Sequence, residues 1–271
     1  MRNAAAKHSL IVGLGATGLA VARYLAARGE RVRVIDSRSD PPGLRELRAA
    51  VPGVDISLDT LDERWLDGAR RVLLWPGLPY DLALAGEGRR RGLAVIGDIE
   101  LFALAVRAPV IAVTGSNGKS TVTTLASKLL ESQRLRAPAG GNLGPPGLDL
   151  LIGPKAAAYV PEISSFQMET TDSLAPLAAA VLNVSADHLD RHGTLELYAE
   201  LKEKLLKAAE YAVVNADDPL VAAMGARHPR VVPFSVQQEL ARGYSIVERD
   251  GERWLARDRK PLLRAAELEI R

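Results

Sequence analysis

The chain has 271 residues, which at roughly 150 residues per domain argues for about two domains. Lys and Arg number 35 against 33 Asp and Glu, so the formal charge of +2 gives no case for a nucleic-acid partner. Cysteine is absent, which excludes disulfides, zinc thiolate sites, iron–sulfur clusters and thiol catalysis.

Arg2 and Lys7 precede an apolar run, and Ala20-Val21-Ala22 behind it imitates a signal-peptide cleavage site. Gly13, Gly15 and Gly18 interrupt that run. A buried strand, a glycine turn and a helix are expected instead, in a cytoplasmic protein. No uncharged stretch reaches the roughly 18 apolar residues of a membrane-spanning helix.

Short apolar runs then alternate with helical patterns. Residues 10–12, 32–35, 72–74 and 94–96 read as strands, and 19–27 as one of the helices between them. This is the pattern of a parallel sheet with helices on both faces, an α/β fold. A helix over 99–106 should stop before Pro109, because proline disfavours helix at the preceding residue. A second strand series covers 110–113, 157–160, 179–182, 212–214 and 231–232. The expected domains are therefore 1–107 and 108–271. Runs at 244–247 and 253–256 flank Asp250-Gly251, a β-hairpin signal.

Gly13-Leu14-Gly15-Ala16-Thr17-Gly18 is a G-x-G-x-x-G turn between strand and helix, and Asp36 ends the next strand. Such a turn admits a diphosphate close to the backbone and to a helix N-terminus. The pattern fits NAD, with Asp36 on a ribose hydroxyl, and equally a UDP-sugar. A second turn, Gly115-Ser116-Asn117-Gly118-Lys119-Ser120-Thr121, follows a strand and opens a helix. It is a phosphate loop of shortened spacing: backbone N–H groups cradle phosphate, Lys119 adds charge, and Ser120 can reach Mg²⁺. The helix behind it should bury Val122, Leu125, Ala126 and Leu129, spaced i, i+3, i+4 and i+7. Two phosphate sites suggest a nucleoside triphosphate coupled to a diphosphate-bearing substrate.

Val160-Pro161-Glu162-Ile163-Ser164 lies at a strand end, where ligands of doubly wound sheets gather. With the phosphate loop present, Glu162 reads as a carboxylate for Mg²⁺. His188, in Asp187-His188-Leu189-Asp190, is either a metal ligand or a capping residue. Such groups near phosphate suit Mg²⁺ or Mn²⁺ better than structural zinc. Thr194 should cap the next helix, with Tyr198, Leu201 and Leu205 buried. By position alone, Lys202 on that helix reads as solvated.

The assembled motifs resemble the Mur ligases of peptidoglycan synthesis, and within them the branch that adds D-glutamate. The segments are the two glycine turns, Gly97-Asp98-Ile99-Glu100-Leu101-Phe102, Gly140-Gly141-Asn142-Leu143-Gly144, the Glu162 and His188 segments, and Asn215-Ala216-Asp217-Asp218-Pro219. The resemblance implies a Rossmann-like UDP-binding domain followed by a P-loop α/β ATPase domain. It implies a UDP-N-acetylmuramoyl-L-alanine substrate in place of NAD, with D-glutamate, ATP and two Mg²⁺ ions. Ala16 and Thr17 would contact the diphosphate. Asp36, Ser37, Arg38, Pro76 and Gly77 would hold the uridine end, and Asn142, Ser164 and His188 the rest of the substrate. Gly115, Ser116, Asn117, Gly118, Lys119, Ser120 and Thr121 would hold ATP. Ser120, Glu162, His188 and a carbamate on Lys202 would surround the metal, with Lys119, Glu162, His188 and Lys202 as the catalytic set. That replaces the solvated reading of Lys202. A monomer without membrane or nucleic-acid partners is expected.

Three departures stand out. Pro161 precedes Glu162 where the family has an apolar residue. Trp75 precedes Pro76-Gly77 where a serine is usual. The chain also stops at Arg271, ahead of the family's adenine segment and third domain. A truncated, catalytically incomplete ligase is thus expected. The alternatives are a UDP-sugar-binding fragment and an NAD-linked oxidoreductase.

Overall fold

A computed structural model describes residues 7–142 and 144–268, so Arg2, Leu143 and Arg271 lie outside the described residues. In chain order the first elements are β1 His8–Val12, α1 Ala16–Ala26, β2 Val32–Ile35, α2 Leu44–Ala50 and β3 Asp55–Ser57. Next come β4 Ala69–Leu74, α3 Ala83–Arg90, β5 Ala94–Ile96, α4 Asp98–Ala105, β6 Ile111–Thr114 and α5 Lys119–Ser132. Then follow β7 Ala139–Gly141, β8 Val160–Glu162, α6 Ser165–Met168, β9 Ala178–Val181, α7 Leu189–His192 and α8 Leu195–Lys207. The last are β10 Tyr211–Asn215, α9 Pro219–Gly225, β11 Val231–Ser235, β12 Tyr244–Arg249, β13 Glu252–Arg257 and β14 Lys260–Arg264. None of the described helices is long and apolar enough to cross a membrane.

The chain divides into two compact units. One comprises Met1–Arg107, Pro138–Ala156 and Ile163–Leu174; the other comprises Ala108–Ala137, Ala157–Glu162 and Ala175–Arg271. The first unit holds a parallel sheet of order β3-β2-β1-β4-β5. The C-terminal halves of its central strands are apolar without alternation because both faces are covered: Leu10, Ile11, Val12, Val34, Ile35, Val72 and Leu73 are all buried. Ala20, Val21 and Ala22 are buried in α1. Strand β3 is an edge strand of three residues, Asp55-Ile56-Ser57, with no apolar run to announce it.

The return segment 163–174 is tied to α4. Glu100 on α4 accepts the N–H groups of Asp172 and Ser173 at 2.7 and 2.8 Å. Gln167 Nε2 donates to Asp98 Oδ2 at 3.2 Å. Burial pushes the Asp98 carboxyl up to about 6, against the pull of Gln167.

In the second unit the strands run β14-β13-β12-β11-β10-β9-β6-β8. Pairing is parallel from β12 to β8 and antiparallel among β12, β13 and β14. The expected hairpin forms around Asp250-Gly251, and β14 extends it as an exposed strand. Thr194 caps α8 by accepting the Leu197 N–H at 3.2 Å.

Helix α5 departs from expectation. Its buried positions are Thr123 and Ser127, whereas Leu125 and Leu129 are exposed. Small side chains face inward, and Ser127 Oγ satisfies the Ala137 carbonyl at 2.6 Å. The apolar stripe read from spacing is therefore offset from the face that packs.

Candidate functional site

In the first unit, β1 ends at Val12 and the glycine turn leads into α1 with Gly15 at its N-cap. A Cβ at Gly18 would run into the Gly13 carbonyl oxygen, so the helix can start this close only with glycine there. No side chain caps α1. Its first N–H groups are thus available to an anion, which the helix dipole also favours. Ala16 is exposed and Thr17 half-buried beside that end.

Asp36 braces the turn from the end of β2. Its carboxylate accepts the Leu14 N–H at 2.6 Å, the Arg38 N–H at 2.9 Å, Arg38 Nε at 2.8 Å and Arg38 Nη2 at 2.7 Å. Burial would raise its pKa, but these donors outweigh burial and hold the carboxyl below its ordinary value. Four donors occupy the roughly four acceptor directions of a carboxylate. Asp36 therefore positions Leu14 and Arg38, and it has no acceptor to spare for a ribose hydroxyl. Ser37 and Arg38 are exposed beside it, with Pro76 and Gly77 in the turn after β4. Asn142 is exposed. Ser164 caps α6 in a reciprocal pair with Gln167, which occupies its hydroxyl.

In the second unit the phosphate loop joins β6 to α5. Two side chains brace it from outside. Asn183 Oδ1 accepts the Asn117 N–H at 2.8 Å, and its Nδ2 donates to the Asn117 carbonyl at 3.1 Å. Ser116 Oγ pairs with the Tyr198 hydroxyl at 3.2 Å and accepts the Ser185 N–H at 3.0 Å. Lys119 Nζ donates to the Ser116 carbonyl at 3.0 Å. Ser120 Oγ donates to Glu162 Oε2 at 2.7 Å, and Glu162 is only 2% exposed. Pro161 is accommodated within β8, and Glu162 still lies in register with Val113.

Lys202 corrects the reading from position. It is 1% exposed, and its Nζ donates to the Gly115 carbonyl at 3.0 Å. The amine also lies 4.2 Å from the Tyr198 ring centroid. Burial, with repulsion from Lys119, pushes this amine down to about 7, against attraction from Asp187. The structure thus gathers Gly115, Ser116, Asn117, Lys119, Ser120, Glu162 and Lys202 around one loop.

His188 stands at the N-cap of α7 with φ 51°, a left-handed conformation uncommon outside glycine. Its side chain makes no cap; it is 50% exposed and lies 3.5 Å from Asp187. The capping reading therefore fails at its side chain. Asn183 and Tyr198 went unassigned as loop braces. The signal for Asn183 was its place just beyond β9, while Tyr198 reads as core because only its hydroxyl is polar.

The match to known families follows this geometry. Residues 113–255 match the Mur ligase middle domain, and residues 7–97 match the Mur ligase MurD-like N-terminal domain. The chain belongs to the Mur ligase family. It is 44% identical over 262 residues to the UDP-N-acetylmuramoylalanine–D-glutamate ligase of Methylococcus capsulatus, covering 97% of this chain and 57% of that protein. It is 42% identical to the enzyme of that name from Nitrosococcus oceani, covering 97% and 58%. The chain thus spans less than three fifths of these relatives. A Neisseria meningitides UDP-N-acetylmuramate:L-alanyl-gamma-D-glutamyl-meso-diaminopimelate ligase shares the fold with TM-score 0.65 at 20% identity, over 95% of this chain and 86% of that one. The UDP-N-acetylmuramate-alanine ligase of Thermotoga maritima gives TM-score 0.60 at 21% identity, over 95% and 59%.

Proposed function

We propose that this chain carries the nucleotide-binding machinery of an ATP-dependent ligase of cell-wall synthesis, which joins D-glutamate to UDP-N-acetylmuramoyl-L-alanine. Its identity to ligases of that name supports the substrate pair. The observation that carries the reading is the company of the phosphate loop: a buried carboxylate on Ser120 and a buried lysine on the Gly115 carbonyl. A generic glycine turn needs neither.

In this reading residues 1–107 hold the UDP end and 108–271 hold ATP. The N-terminus of α1, with Ala16 and Thr17, takes the diphosphate; Ser37, Arg38, Pro76 and Gly77 border the uridine. Asn142, Ser164 and His188 serve the remainder of the substrate.

A carboxylate is a poor acyl donor because oxide is a poor leaving group. Transfer of the γ-phosphoryl of ATP to a carboxylate oxygen gives an acyl phosphate and ADP. The amine of D-glutamate then attacks the carbonyl carbon; the C–O bond breaks, phosphate leaves, and the amine loses a proton. Loop N–H groups and Lys119 stabilise charge during the phosphoryl step.

The donor set fits a hard cation, since Ser120 and Glu162 offer oxygen. Among the described residues no three His, Asp or Glu side chains converge, so nucleotide oxygens would complete the shell. Mg²⁺ held there would neutralise charge on the transferring phosphoryl group. A carbamate on Lys202 would add a carboxylate-like ligand, and a buried amine of lowered pKa is the form that reacts with CO₂. His188 is the remaining candidate ligand.

Calorimetry with Mg-ATP and UDP-N-acetylmuramoyl-L-alanine tests the division. Lys119→Ala should abolish the first binding event and spare the second; Thr17→Glu should do the reverse. Loss of both together, or of neither, would overturn it.

A further inference from the structure

Trp75 follows the last residue of β4 and starts the turn Trp75-Pro76-Gly77-Leu78, closed by Leu78 N–H donating to the Trp75 carbonyl at 2.9 Å. The Trp75 N–H donates to the Val12 carbonyl at 3.0 Å, which sets the residue beside the glycine turn that follows β1. Its side chain lies over that turn. A Cβ at Gly13 would stand 2.7 Å from Trp75 Cβ, and one at Gly15 would stand 3.9 Å from the indole Nε1. A Cβ at Gly77 would stand 2.6 Å from ring atoms Cζ2 and Cζ3. The indole occupies room that only glycine backbones leave, with its six-membered ring resting on Gly77.

Three further observations say that this indole is not core filler. It is half-buried, and it is not among the described residues packed against the apolar cluster around Leu10, Val12 and Val72. The guanidinium carbon of Arg38 lies 5.9 Å from its ring centroid, and Asp36 holds that guanidinium in a fixed plane. Its Nε1–H donates to no group among the described residues. A large aromatic ring has thus been placed beyond the C-terminal ends of β1 and β4, the side of a doubly wound sheet where ligands gather.

We infer that Trp75 is a further substrate-binding residue: its indole, flanked by Arg38, is the wall on which the pyrimidine base of the bound nucleoside diphosphate stacks. The inference rests on the reading of the first unit as a nucleoside-diphosphate site. A planar base matches a ring held rigid by glycine backbones, and stacking needs an aromatic face, which phenylalanine keeps and serine lacks.

The test is UDP binding to the full chain by calorimetry, with tryptophan fluorescence recorded in parallel. Base–aromatic stacking predicts that Trp75→Ser weakens UDP binding roughly tenfold, whereas Trp75→Phe stays within about twofold of wild type. UDP should quench wild-type fluorescence, and Trp75→Phe should lose that quench. Should Trp75→Ser fail to fold, the quench comparison decides alone. Equal UDP affinity in Trp75→Ser and wild type would overturn the inference. So would a loss in Trp75→Phe as large as in Trp75→Ser, or a loss seen with UDP-N-acetylmuramoyl-L-alanine and not with UDP. A wild-type chain that binds no UDP would instead refute the underlying reading of the site.

Discussion

Lys202 offers the sharpest chemical prediction. Carbamate formation needs the neutral amine, because only the free lone pair attacks CO₂. At pH 7.5 an ordinary lysine, with a pKa near 10.4, is neutral in about one molecule per thousand. The Lys202 amine, pushed down to about 7 by burial and by Lys119, is neutral in roughly three quarters of molecules. The reactive form is therefore enriched roughly 600-fold. Chain incubated with ¹³C-bicarbonate at pH 7.5 should give a carbamate carbon resonance. It should be absent from Lys202→Met and retained in Lys204→Met, whose side chain is the control on the same helix. The signal should fall steeply below pH 7, as the amine takes up a proton. Absence of the signal in wild type, or its survival in Lys202→Met, would rule out a carbamate at this lysine.

Other outcomes follow from the first unit. Asp98 is buried with its carboxyl raised to about 6, so the folded state binds a proton more tightly than the unfolded state. Wild-type stability should then fall by up to about 3 kcal/mol as pH rises from about 4 to above 6, and Asp98→Asn should lack that decline. Urea unfolding of both at pH 4 and pH 7 measures this; parallel pH dependence would contradict it. Gly18→Ala would drive a Cβ into the Gly13 carbonyl oxygen. It should cost about 1–3 kcal/mol of stability by overpacking and weaken UDP binding, checked by denaturation and calorimetry. An unchanged chain would show that α1 does not lie as close to the turn as described.

Much of the nucleotide machinery is legible in the sequence because it is local. A strand, a glycine turn and a helix are consecutive, so Gly13–Gly18 and Gly115–Thr121 announce β1–α1 and β6–α5 without tertiary information. The parallel core strands are equally plain, since burial on both faces gives runs of consecutive apolar residues, as in Leu10-Ile11-Val12 of β1. What escaped depends on where elements dock. Lys202 borders the stripe of Tyr198 and Leu205, and periodicity cannot say that this border lies under the phosphate loop. The stripe on α5 failed for the same reason: Thr123 and Ser127 face inward because small side chains let the helix approach. Edge strands β3 and β14 carry too few buried residues to leave a pattern. The spent carboxylate of Asp36 was also invisible, since its four donors come from Leu14 and from Arg38 folded back on it.

Whether the first glycine turn serves a UDP-sugar or a nicotinamide dinucleotide is decided by titrating the chain with UDP-N-acetylmuramoyl-L-alanine and with NADH in one calorimetric series. The UDP-sugar should bind saturably, and excess NADH should not displace it. NADH binding more tightly than the UDP-sugar, at a site abolished by Thr17→Glu, would contradict the UDP-sugar assignment.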